Sequence, residues 1–112
     1  MARTDRLASV IKREVAEILL KKMTHHSLGV LSILRVKLSD NLSEAWVYYS
    51  QFGSLEEREK TRKVLDTAKG FIRSELGKAL FTQRIPQLHF EYDDSIEKTQ
   101  NLINRIDELS KL

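Results

Sequence analysis

Ser54 stands three residues ahead of Glu57, and behind this pair an apolar stripe recurs at helical spacing to about Phe81. The pair is a capping box: the serine hydroxyl accepts from the backbone amide of Glu57, whose side chain reaches back to the serine amide. Val64, Leu65, Ala68, Ile72, Leu76, Ala79 and Leu80 then share one face of a long helix. Alternating segments flank it, Glu44 to Ser50 before and Gln87 to Tyr92 after, and alternation is the mark of a strand. A helical crossover between two strands of one sheet is right-handed and makes them parallel. The helix therefore belongs on one face of the sheet, and the other face is expected to stay open.

The remaining segments complete the order. Thr4 is positioned to cap a first helix running to about Met23, with Leu7, Val10, Ile11, Val15, Ile18 and Leu19 at helical spacing. After the poorly periodic stretch from Thr24 to Gly29, Val30 to Leu38 reads as a strand. There Leu34, Val36 and Leu38 face inward against Ile33, Arg35 and Lys37. Ser39-Asp40-Asn41 supplies turn chemistry, so the first two strands form an antiparallel hairpin. Tyr49, Phe90 and Tyr92 are expected in the core. Pro86 closes the connection into the third strand, and Asp93 to Ser95 turns into a polar final helix carrying Ile96, Leu102, Ile103, Ile106 and Leu109. Such an order is α+β of the split-βαβ kind.

Gly70 interrupts this logic in the middle of the long helix. A glycine there costs about 1 kcal/mol relative to alanine, and its retention predicts a bend that divides the element into a kinked helix pair. Gly77 is read as a packing or helix-end glycine. Arg62, Lys69 and Arg73 fall within roughly 40° of one another on the helical wheel and form one candidate ridge for phosphate. Arg6, Lys12 and Arg13 on the first helix are a second candidate set. Lys78 and Arg84 are weaker members, the first able to complement the helix end and the second to solvate the approach to Pro86. The alternative for all of them is a solvated face paired with acidic neighbours.

Net charge is only +3, but it is segregated. Residues 1–22 carry six bases against three acids, residues 54–84 eight against five, and residues 91–112 six acids against three bases. A basic body is thus masked by an acidic tail, and an anionic partner would meet the body.

With 112 residues and no cysteine, the chain suits one domain with one core and excludes disulfides, thiolate metal sites and cysteine nucleophiles. No apolar run approaches a membrane span and the charged N-terminus lacks a signal-peptide core, so an intracellular protein is expected. His25 and His26 are adjacent without ligand spacing, His89 and Glu91 share a strand face, and Asp93 with Asp94 suits a turn and helix cap; no metal is expected. Trp46 and Tyr48 lie opposite Ala45, Val47 and Tyr49, and cross-strand packing accounts for them better than base stacking. No nucleophile, base and orienting group can be assembled, so no catalytic residue is assigned.

Specific stretches narrow the reading. Arg6-Leu7 is followed by the run Ile11-Lys12-Arg13-Glu14-Val15-Ala16-Glu17-Ile18-Leu19. Leu28-Gly29 and Leu42-Ser43-Glu44-Ala45-Trp46-Val47-Tyr48 come next, then Ala68-Lys69-Gly70-Phe71-Ile72-Arg73-Ser74-Glu75-Leu76-Gly77. Pro86-Gln87-Leu88-His89-Phe90 leads into Asp93-Asp94-Ser95-Ile96-Glu97. In this order and spacing, over roughly residues 6 to 103, the chain resembles the bacterial ribosome-binding factor A family. Two departures stand out: His25-His26-Ser27 replaces the family's usual Asp-Pro-Arg, and Asn41 replaces a usual aspartate.

The resemblance implies a type II KH-like fold (α-β-β-α-kink-α-β) over residues 1–93 and an acidic C-terminal helical extension over 94–112. In that family Ala-x-Gly, here Ala68-Lys69-Gly70, stands in the kink in place of the Gly-x-x-Gly loop of ordinary KH domains. It further implies a cytoplasmic, monomeric, non-enzymatic assembly factor without cofactor that binds the free, immature 30S small ribosomal subunit and contacts 16S rRNA. Late rRNA maturation and cold adaptation are family themes. RNA contact would then fall to Arg6, Lys12, Arg13, Arg62, Lys69, Arg73, Lys78 and Arg84. The competing readings are a general KH-type RNA-binding module, which lacks its Gly-x-x-Gly here, and a protein-interaction domain without RNA contact.

Overall fold

The computed structural model describes residues 3–23, 30–80 and 84–110. Helix α1 spans Arg3–Lys22, strands β1 and β2 span Val30–Leu38 and Glu44–Phe52, helix α2 spans Leu55–Ala79, strand β3 spans Gln87–Tyr92, and helix α3 spans Ser95–Ser110. Helix α1 already includes Arg3, so Thr4 lies inside its first turn instead of capping it. The motif residues Leu28-Gly29 and the departure at His25-His26-Ser27 lie outside the described residues, as does Phe81, the expected end of the long helix.

The sheet has the order β1-β2-β3, with β1 and β2 antiparallel and β2 and β3 parallel, the latter being what the helical crossover requires. Asn41 organises the hairpin turn: its side-chain oxygen accepts from Ser39 Oγ (2.9 Å), Ser43 Oγ (2.7 Å) and Ser43 N (3.1 Å). An amide oxygen is as good an acceptor here as an aspartate oxygen, so the replacement keeps the turn. Leu42 takes the left-handed conformation that closes it, at φ 62°.

One strand differs from its expected register. Ile33 pairs with Tyr49 but Arg35 with Tyr48, so Leu34 is an extra residue in a β-bulge. The bulge resets the alternation, and Ile33, expected on the wet face with Arg35 and Lys37, packs against the core together with Leu31, Val36 and Leu38. Two adjacent apolar residues, Ile33 and Leu34, were compatible with either phase, and the partner strand decided between them.

Helix α2 starts at the expected capping box, with Ser54 Oγ accepting from Glu57 N at 3.1 Å and Glu57 Oε1 accepting from Ser54 N at 3.4 Å. Gly53 precedes it at φ 153°, and a Cβ there would come within 3.0 Å of the Glu57 carboxylate. Only glycine suits that position. Helix α2 carries helical hydrogen bonding through Ala68 and Gly70, the two residues at which the kink is expected. Ala68 packs against the core, while Gly70 is exposed with nothing within 4 Å of where a Cβ would sit.

Helices α1 and α2 cover one sheet face. Ile11, Val15, Ile18, Leu19 and Met23 meet Leu65, Ile72, Leu76 and Leu80 over Ala45, Val47, Tyr49 and Leu88. Burying each larger apolar side chain contributes about 1.5–3 kcal/mol, so this core between the two helices and the sheet holds the body together. Phe90 and Tyr92 pack at its margin, Tyr92 edge-on to Tyr49 at 5.7 Å. Burial raises the Tyr49 hydroxyl pKa, an effect that the nearby Arg62 opposes. The opposite sheet face carries Trp46, stacked on His89 at 5.6 Å, and Tyr48 beneath the Arg35 guanidinium at 4.3 Å. The cross-strand account of these aromatics therefore fits.

Candidate nucleic-acid interface

The crossover brings α2 alongside β3, an edge strand of the sheet. Between them lies a groove of about 300 Å³ lined by Arg62, Asp66, Lys69, His89, Phe90 and Glu91. Arg62 and Lys69 lie about two turns apart on α2 and share one of its faces, as their spacing predicts.

The groove's cations are partly spoken for. Arg62 binds the Glu59 carboxylate through two nitrogens, at 2.6 and 3.0 Å. That hydrogen bond holds the Glu59 pKa below its ordinary value and the Arg62 pKa above its own. Lys69 pairs with Asp66 at 3.1 Å and Lys78 with Glu75 at 3.0 Å. All three are exposed i,i+3 pairs, which are worth little and leave each cation free to exchange a carboxylate for a phosphate.

Arg73 has a different position. Its guanidinium donates to the carbonyl oxygens of Ile85 (2.7 Å) and Pro86 (3.1 Å). It ties α2 to the segment entering β3, whose first residue, Gln87, donates to Ser43 O at 2.9 Å. Arg73 thus fixes one wall of the groove against the other, a positioning role that the helical wheel did not show.

The other candidates are spread more widely. Arg6, Lys12 and Arg13 are exposed on α1, where Arg13 lies 3.7 Å from Glu14, and Arg6 and Lys12 have no ion pair among the described residues. Lys78 sits at the far end of α2, in a second groove with Lys21 and Lys22 of α1 and the acids Glu14, Glu17 and Glu75. Lys21 and Lys22 were counted in the basic charge of the first segment but not named as contacts; their signal was the doublet in the last turn of α1. Arg84 is exposed on the approach to β3.

His89 was expected on an exposed sheet face. It stacks on Trp46 and bonds Glu44 through Nε2 at 2.5 Å, linking β3 to the start of β2. Among the described residues no three His, Cys, Asp or Glu side chains gather to hold a metal ion, and no helix is long and apolar enough to cross a membrane.

What this arrangement can do is bind. It offers exposed cations on rigid helices, a shallow groove between helix and strand edge, and at Gly70 a stretch of bare helix backbone beside Lys69, where another chain can approach closely.

Comparison with known proteins agrees in sequence and in fold. The profile of a protein family described as Ribosome-binding factor A matches residues 3–106. Ribosome-binding factor A of Dictyoglomus thermophilum is 43% identical over 108 residues, covering 96% of this chain and 90% of that protein. The crystal structure of ribosome-binding factor A from Thermus thermophilus superposes with a TM-score of 0.71 at 24% identity, over 81% of this chain and 97% of that one. A homology model of the Thermus factor, fitted into a cryo-electron microscopy map of its complex with the 30S subunit, gives a TM-score of 0.68 at 24% identity, over 81% and 96% of the two chains.

Proposed function

Because the chain belongs to the ribosome-binding factor A family, whose KH-like fold it shares, we propose that it binds the free, immature 30S subunit and contacts 16S rRNA there. In this reading it assists the late maturation of that rRNA in the cytoplasm, as a binding factor with no reaction of its own. The observation that carries the reading is the family match, which runs from α1 into α3 and so includes both walls of the α2–β3 groove. Arg62 and Lys69 supply phosphate contacts in that groove, Arg6, Lys12 and Arg13 supply them from α1, and Lys78 with Lys21 and Lys22 extends the footprint. Arg73 holds the groove in shape, and Ala68 and Gly70 set how closely α2 meets the rRNA. Each phosphate contact releases counterions, so affinity falls steeply with salt.

The test is co-sedimentation with immature 30S subunits, mature 30S subunits and whole ribosomes across a salt series. Preferential, salt-sensitive binding to the immature particle is expected. Equal binding to all three, or none, would sink the proposal. Lys69→Glu should weaken that binding without moving the thermal midpoint, because its only ion-pair partner among the described residues is the exposed Asp66.

A further inference from the structure

Phe71 stands in the middle of α2, 45% exposed, beside the fully buried Ile72. The ring lies outside the buried core cluster. Single exposed apolar residues are ordinary, but the surroundings of this one are not. At about 100° per residue, Lys60, Thr67, Ser74 and Lys78 fall within roughly 60° of Phe71, and all four are exposed. Gly70, the preceding residue, leaves open space where a Cβ would stand. One face of the ring is therefore flanked by small residues and can be approached by a flat group.

Cations bracket the ring. At 1.5 Å per residue, Lys60 lies about 16 Å before it along the helix axis and Lys78 about 10 Å after it. Among the described residues Lys60 makes no ion pair, and Lys78 makes only the exposed contact to Glu75 at 3.0 Å. Phe71 is about 160–180° around the helix from Lys69 and Arg62, so it is not part of the α2–β3 groove. It shares the face of Lys78, which borders the second groove with Lys21 and Lys22 of α1. The acids that α1 brings there each stand beside a base, Glu14 at 3.7 Å from Arg13 and Glu17 at 3.9 Å from Lys21.

These neighbours select the occupant. The other exposed large apolar residue of α2, Leu55, is about 160° away on the helix, so a protein laid over Phe71 would find no apolar patch around it. It would also have to cover lysines, which the cores of protein interfaces avoid. A lipid surface needs an apolar helix face that this stripe does not offer. A nucleotide strand supplies both halves of the match, a planar base for the ring and phosphates for the lysines. Bases inside a duplex are already stacked on both faces, so the base must be unpaired.

We propose that Phe71 stacks on an unpaired base of the rRNA, with Lys60 and Lys78 meeting phosphates to either side. This rests on the ribosomal reading above and deepens it, adding contact with a base to contact with phosphate.

The test compares the full chain with its Phe71→Ala, Phe71→Leu and Phe71→Tyr variants. Binding is measured to immature 30S subunits, to a short unstructured RNA strand, and to the duplex that this strand forms with its complement. Alanine and leucine should each weaken binding to the subunit and to the single strand roughly tenfold, the effect of losing one stacked base. Tyrosine keeps the ring and should bind as the natural chain does, and all four chains should bind the duplex alike. The thermal midpoint should hold, because the ring lies outside the core cluster. Leucine binding as tightly as phenylalanine, tyrosine losing as much as alanine, an equal loss on the duplex, a midpoint that falls in step with affinity, or no loss in any variant would each overturn the proposal. A natural chain that ignores subunits altogether would instead bring down the ribosomal reading, and this inference with it.

Discussion

Arg73 and Lys69 lie four residues apart on one helix, yet the structure gives them different work. Arg73 donates to two backbone carbonyls that have no strand partner, and charge-assisted bonds of this kind are worth more than neutral ones. Arg73→Ala should therefore destabilise the fold by about 1–3 kcal/mol, read as a lower denaturant midpoint with an unchanged slope. Lys69 pairs, among the described residues, with the exposed Asp66 alone and should show no such loss. Gly70 offers the opposite test. An alanine there meets no neighbour within 4 Å and removes a helix penalty of about 1 kcal/mol. Gly70→Ala should thus raise the thermal midpoint, and if α2 meets rRNA at this point, it should weaken subunit binding at the same time. A variant more stable and equally tight would show that Gly70 serves neither fold nor contact.

At the scale of elements, α2 was legible because its start is written in local chemistry: Ser54, Glu57 and the stripe from Val64 to Leu80 need no tertiary information. The bulge at Leu34 was not legible, because adjacent apolar residues at 33 and 34 fit both phases and only pairing with Tyr48 and Tyr49 chooses one. The basic ridge was legible as a position but not as a state, since the wheel shows that Arg62 and Lys69 align and does not show that each holds a carboxylate three residues away. Helix α3 was legible as amphipathic, but periodicity does not say what a stripe packs against. Its junction makes a pH-dependent prediction. Hydrogen bonds from Ser95, with a smaller contribution from Arg35, hold the Asp93 carboxyl below its ordinary pKa of 3.8. A depressed folded-state pKa means that the junction's contribution is present above that ordinary value and is lost as pH falls through the folded one. Acid titration should therefore loosen the start of α3, seen as lost helical circular dichroism. Asp93→Asn keeps an acceptor without a titrating charge and should flatten that loss.

For the molecule as a whole, the crossover rule was enough to anticipate a parallel β2–β3 pair, and with it the helices on one face. The groove lay beyond reach because it depends on how far α2 stands from the sheet edge, which is set by packing of Leu65, Ile72 and Leu76 on the core and by the Arg73 clamp. The parallel pair has one more consequence, for the order of folding. β2 gains its second neighbour only when Gln87 to Tyr92 arrive, after the whole of α2. Pairings so distant in sequence form late, and a nascent chain still short of Tyr92 carries β2 with an open edge, the feature on which chains pair with one another wrongly. The interval between emergence of Phe52 and of Tyr92 is thus when this small protein is most exposed to misassembly, and substitutions that slow closure of β3 should act first on the yield of folded chain.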